Sequence, residues 1–149
     1  MNRLPCLAIV LLTVLVTACG GGHHSPSEPA GPDSVSAVSL SPTNGSRLVP
    51  GNVVTFSATV NYELQSESSG SILLVVQDQD YHLLTVGPQA KASVNRGRGS
   101  ATLSDHVTVP AAGVSQVRIY FALVPPDVSA VQYLSSAQAQ PAATYPVGS

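Results

Sequence analysis

From Val53 to Leu64 the chain alternates strictly, with Val54, Phe56, Ala58, Val60, Tyr62 and Leu64 on every second position. Between them stand Val53, Thr55, Ser57, Thr59, Asn61 and Glu63, mostly polar. A strand points successive side chains to opposite faces, so this period of two gives one apolar and one polar face. A helix, at 3.6 residues per turn, would scatter the same residues around its circumference. The stretch therefore predicts a half-buried antiparallel strand, and its apolar face needs further strands or a second layer to cover it.

Other segments carry the same signature. Ser36 to Ser41 opens the ordered region, with Val38 and Leu40 marking its buried side. Pro42-Thr43-Asn44-Gly45 and Pro50-Gly51-Asn52 supply turn chemistry. Gln65 to Gly70 is a polar, serine-rich turn, and Ile72 to Val76 is a continuous apolar run suited to a central strand. Gln77-Asp78-Gln79-Asp80 leads into a further strand from Tyr81 to Val86, ended by Gly87-Pro88. After a glycine-containing turn between Lys91 and Gly99, Ala101, Leu103, Val107 and Val109 share one strand face. Asp105 falls on that apolar side, which implies a bulge or an exposed strand end. Val117, Ile119, Phe121 and Leu123 alternate with Gln116, Arg118, Tyr120 and Ala122. A last strand is expected within Gln138 to Val147, confined to an edge by Pro141 and Pro146.

The expectation is an all-β protein, an antiparallel β-sandwich of about seven to eight short strands. Ser-Pro-x-Asn-Gly, then Pro-Gly-Asn before Val-Thr-Phe, then Val-x-Val-Pro beyond a Gly-rich bend, resemble bacterial immunoglobulin-like modules. The resemblance spans Val35 to Val147 and implies an immunoglobulin-like fold. The cysteine pair and buried tryptophan of antibody-type domains are missing, so it implies no particular ligand.

The N-terminus has a separate logic. Arg3 supplies a positive charge, and Leu4 to Val16 form an apolar run without a charged residue. This is a secretory signal pattern, and the run is shorter than the roughly 20 residues that span a bilayer. Its end, Leu15-Val16-Thr17-Ala18-Cys19, resembles the lipobox of bacterial lipoproteins. The resemblance implies cleavage after Ala18 and lipidation of Cys19, which would hold the protein to a membrane. Gly20 replaces the aspartate that resembles an inner-membrane retention signal, which implies the bacterial outer membrane where the cell has one. Gly20 to Asp33, rich in Gly, Pro and Ser, reads as a flexible tether. The expected organisation is a signal peptide over 1–18, a lipidated cysteine and linker over 19–34, and the β domain over 35–149.

Composition excludes some functions. The chain has 149 residues, a formal net charge of −2 and only 9% charged residues. No dense basic patch is available for nucleic acid. The two cysteines, Cys6 and Cys19, both precede the β domain, so no disulfide can staple it.

Catalytic motifs are absent: there is no Gly-x-Ser-x-Gly elbow and no His-Glu-x-x-His helix. His82 and His106 each have an acidic neighbour, but abundant serine makes any Ser-His-Asp set uninformative. Asp78, Asp80 and His82, spaced by two, would face one way on a strand and offer oxygen and nitrogen to a metal. The same pattern suits a solvated turn, and the calcium-loop spacing is missing. His23 and His24 sit on the tether and read as solvated. Lys91, Arg96 and Arg98 offer charge to anionic head groups or an acidic glycan, or simply solvate a loop. Tyr81, Tyr120, Tyr133 and Tyr145 are the candidates for stacking on sugar.

The sequence therefore predicts no catalytic residue, no cofactor and no metal. It favours a non-catalytic binding domain for an envelope protein or a surface glycan. An accessory subunit of an envelope complex is the alternative, and a hydrolase ranks third.

Overall fold

The computed structural model describes residues 33–124, 126 and 140–148. The expected signal peptide, Cys19, the expected tether before Asp33, and Tyr133 lie outside the described residues. Five strands run in chain order: β1 (Ser34–Ser41), β2 (Val53–Asp78), β3 (Lys91–Thr108), β4 (Gln116–Val124) and β5 (Ala143–Pro146). Every pairing between them is antiparallel. The protein is all-β among the described residues, as the alternation predicts, but with fewer and longer strands than expected.

β2, 26 residues long, organises the rest. Its first half pairs with β1 along one edge, from Ser41 opposite Ser57 to Ser34 opposite Glu63. Its second half pairs along that same edge with β4, from Ser71 opposite Val124 to Asp78 opposite Val117. β3 follows the other edge past both halves, with a register shift between Leu64 and Ser69. β5 closes the far side of β4. Phe56 from the first half of β2 meets Tyr145 of β5, ring centroids 5.3 Å apart, so the sheet curls back over a single core.

The expected turn at Gln65 to Gly70 is thus a bend inside one strand. Asp33 holds it. One carboxylate oxygen accepts the Gln65 amide at 2.6 Å and the Ser66 amide at 3.0 Å, and the other accepts the Ser66 hydroxyl. A bend leaves backbone donors without ladder partners, and this side chain replaces the missing acceptors. Asp33 is 8% exposed, so it belongs to the fold and not to the tether. Burial alone would raise its pKa. The Ser66 hydroxyl, the amides of Gln65 and Ser66, and the Arg96 charge outweigh this and hold it below its ordinary value.

The turn expected between Lys91 and Gly99 is likewise absorbed into a strand, β3. Gly97 has φ of 113°, which lets the backbone turn without leaving the ladder. Gly99 has another role: a Cβ there would lie 2.6 Å from the Tyr62 hydroxyl oxygen. The Tyr62 ring therefore lies across the bare glycine opposite it, covering backbone that no side chain protects.

Core placement follows parity where the ladder is regular. Phe56, Ala58, Val60 and Leu64 are buried, joined by Ile72, Leu74 and Val76 from the second half and by Val117, Ile119, Phe121 and Leu123 from β4. Leu73, Ala122 and Val124 form a smaller buried cluster on the opposite face, so this part of the sheet is apolar on both sides, as the continuous run predicts.

Three local expectations fail. A bulge between Ala37 and Ser39 turns Val38 outward, 60% exposed, and leaves Val35 as the buried residue of β1, while Leu40, half-buried, does pack against the core. Tyr81 to Val86 is no strand; only Gln77 and Leu83 form an isolated bridge. At Asp105 the register with β2 is unbroken; its carboxylate, on the apolar side, accepts the Thr85 hydroxyl at 2.9 Å.

Candidate functional site

The Asp78–Asp80–His82 set survives as a cluster, but as the frame of a turn. The ligand atoms of the three residues lie within 4.8 Å of one another. Asp78, at the end of β2, is 6% exposed. One of its oxygens accepts the Asp80 amide at 2.8 Å and the His82 amide at 2.9 Å. The other lies 3.0 Å from Nδ1 of His82. The backbone closes the same loop, because the Asp78 amide donates to His82 O at 3.0 Å and Leu84 to Val76 O at 2.9 Å.

Burial would raise the Asp78 pKa. The His82 amide and ring, the Asp80 amide and the His82 charge outweigh it, and the carboxyl is held below its ordinary range. Three contacts from the turn itself thus engage the Asp78 carboxylate, which has about four lone-pair sites. This chemistry braces a loop.

Tyr81 stands at the tip of this loop with φ of 66°, a left-handed conformation rare for a non-glycine residue. It stays there because the surroundings fix it. The Arg118 guanidinium lies 5.2 Å from the Tyr81 ring centroid and donates to Gln79 O at 3.2 Å. The Gln79 side chain donates to Gly113 O at 3.1 Å and accepts the Ser115 amide at 3.1 Å. The loop after β2 and the loop before β4 are therefore cross-tied, and Tyr81 is presented rigidly with 65% of its surface exposed.

The other sequence candidates disperse. His106 lies on the outer sheet face, its Nδ1 2.9 Å from the Thr55 hydroxyl across the β2–β3 ladder. Of the basic residues, Arg96 and Arg98 are engaged at the β2 bend, Arg98 pairing with Glu63 at 2.9 Å and Arg96 donating to Glu67 O at 3.1 Å, while Lys91 lies opposite Leu73 at the start of β3. Arg98 holds the Glu63 carboxyl below its ordinary pKa through hydrogen bonding. Of the tyrosines, Tyr120 is 9% exposed and Tyr145 fully buried, its hydroxyl donating to Pro42 O at 2.7 Å. Neither can stack on a sugar. Asp33, the Tyr81–Arg118 stack and the Tyr62–Gly99 contact were not legible in the sequence; each joins residues distant along the chain, a relation that periodicity cannot register.

A shallow groove crosses the outer face near the bend, lined by Ser34, Ser36, Asn61, Glu63, Arg98 and Ser100 among others. No protein-family model matches the chain, and no curated protein matches it in sequence.

Proposed function

We propose that this chain is a lipid-anchored cell-envelope protein whose immunoglobulin-like β domain binds a partner without catalysing a reaction. The observation that carries the proposal is Leu15-Val16-Thr17-Ala18-Cys19, closing an apolar run and followed at once by a Gly/Pro/Ser tether. Lipid chains on Cys19 would supply the membrane affinity, since each buried methylene contributes about 0.8 kcal/mol and two or more chains hold stably. Gly20 favours the outer membrane.

The immunoglobulin-like reading draws support from the strand groups. β1, the first half of β2 and the second half of β3 form one set, and the first half of β3, the second half of β2, β4 and β5 form another. Both sets line one core. Counting each half of β2 and β3 separately gives the seven segments of such a domain, with bends in place of tight turns. Binding rather than catalysis is favoured because His82 and His106 are each tied to a different neighbour on open surface, Asp78 and Thr55.

The test is membrane fractionation of the wild-type and Cys19→Ser proteins, with mass spectrometry of the N-terminal peptide. A lipidated peptide beginning at Cys19, and release of Cys19→Ser into the soluble fraction, are expected. Unchanged membrane association of Cys19→Ser would refute the anchor.

A further inference from the structure

Asn44-Gly45 is the chain's single Asn-Gly pair; the other asparagines, Asn2, Asn52, Asn61 and Asn95, precede Arg, Val, Tyr and Arg. The pair has a chemistry of its own. Glycine carries no side chain beside its backbone nitrogen, so that nitrogen can approach the carboxamide carbon of the asparagine before it. In a solvated chain the Gly45 nitrogen attacks Cγ of Asn44. A nitrogen–Cγ bond forms, and the side-chain nitrogen leaves as ammonia, carrying the proton of the Gly45 amide. Water then opens the resulting succinimide ring at either of its carbonyl carbons. Opening at Cγ gives aspartate; opening at the Asn44 backbone carbonyl gives isoaspartate, whose main chain runs through the former side chain. No electrons are exchanged, and water is the only co-reactant.

The fold engages both reacting groups through one residue. The Gly45 amide donates to Thr144 O at 3.0 Å, and the Thr144 amide donates to Asn44 Oδ1 at 2.9 Å. The proton that must leave Gly45 is therefore held on a carbonyl, and the carboxamide it would attack is held by its oxygen. Asn44 is exposed, so access of water does not limit the reaction. Thr144 belongs to β5, a strand of four residues, and lies opposite Arg118 of β4. The loop after β1 is fastened along β5 at further points. The Leu48 amide donates to Pro146 O at 2.9 Å, the Gly148 amide to Leu48 O at 3.0 Å, and the Tyr145 hydroxyl to Pro42 O at 2.7 Å. Asn44 and Gly45 thus pair with Thr144 much as a neighbouring strand would.

We infer that Asn44 is a self-modification site gated by β5, deamidating only from states in which Thr144 has released the loop. Local opening of a short edge strand costs less than global unfolding, so such states form while the rest of the domain stays folded. The aspartate product keeps an oxygen for the Thr144 amide and closes again. Isoaspartate lengthens the main chain by a methylene, which shifts Gly45 relative to Thr144 O and leaves β5 unlatched. Each passing opening of β5 is thereby converted into a permanent covalent mark. The inference goes beyond the binding reading and does not depend on the anchor.

The test holds the full-length chain in mildly alkaline buffer over a series of guanidinium chloride concentrations. Peptide mass spectrometry follows deamidation at Asn44, with Asn52 and Asn95 as internal references. The folded chain should react roughly tenfold or more slowly than the unfolded one, and its rate should rise with denaturant well below the global midpoint. Thr144→Pro removes the N–H that Asn44 Oδ1 accepts and should bring the folded rate toward the unfolded one. The wild-type series carries the test by itself if that variant does not fold. The isoaspartyl product, separated by chromatography, should exchange its Thr144 amide hydrogen roughly tenfold faster than the starting chain. Equal rates in folded and unfolded chains, a rate that follows only global unfolding, or an unreactive unfolded chain would overturn the inference. So would a folded Thr144→Pro protein with an unchanged rate, or an isoaspartyl form with unchanged exchange.

Discussion

Replacing Asp33 with alanine removes the acceptor for two backbone amides and one hydroxyl at the bend of β2. A buried donor left unsatisfied costs about 1–3 kcal/mol. Gln65 is half-buried and Ser66 exposed, so water takes over part of the loss. The expected destabilisation is therefore about 2 kcal/mol. With a urea dependence of about 1–1.5 kcal/mol/M for a domain of this size, the midpoint falls by roughly 1.5 M with an unchanged slope. Far-UV circular dichroism on the Cys19→Ser background measures this. Asp33→Asn keeps one carbonyl acceptor for the amides and loses less, about 1 kcal/mol.

Acid sharpens the test. The folded pKa of Asp33 lies below its ordinary value of 3.8, so the unfolded chain takes up the proton first as pH falls. Its ionic contribution is complete above that ordinary value and is lost as pH drops through the folded pKa. The gap between wild type and Asp33→Asn should therefore close in that acid window. An unchanged midpoint for Asp33→Ala, or a gap that widens in acid, would refute the role of Asp33 as the holder of the bend.

Two further outcomes are expected. Gly99→Val forces the Tyr62 ring off the strand and destabilises the domain by about 1–2 kcal/mol; in a Tyr62→Ser background the same change becomes neutral or stabilising, read as a double-mutant cycle of urea midpoints. Asp78→Ala frees the Asp80 and His82 amides and loosens the Tyr81 loop, so chymotrypsin cleaves after Tyr81 roughly tenfold faster while the global midpoint moves little.

The strand-forming segments were readable because their cause is local. Val54 to Leu64 and Val117 to Leu123 alternate, and once the ladder forms one parity enters the core. Parity misled at β1, where the bulge between Ala37 and Ser39 resets it and exposes Val38. It also misled at Tyr81 to Val86, whose apolar letters decorate a loop. Asp78, Asp80 and His82 were recognisable as neighbours, yet their spacing suggested ligands in a row. The structure closes them into a turn whose carboxylate is occupied by its own amides.

By itself, the sequence determined that this chain folds as β structure, since periodicity and composition act over a few residues. Tertiary structure decided that the serine-rich and glycine-rich punctuation would be bends within long strands, because Asp33 supplies acceptors across 32 residues and Tyr62 covers Gly99 from the partner strand. It also decided that the loop after β2 is tied to the loop before β4 through Gln79 and Arg118. Hydrogen bonds between segments far apart in the chain set that proximity, and no local pattern of side chains encodes it.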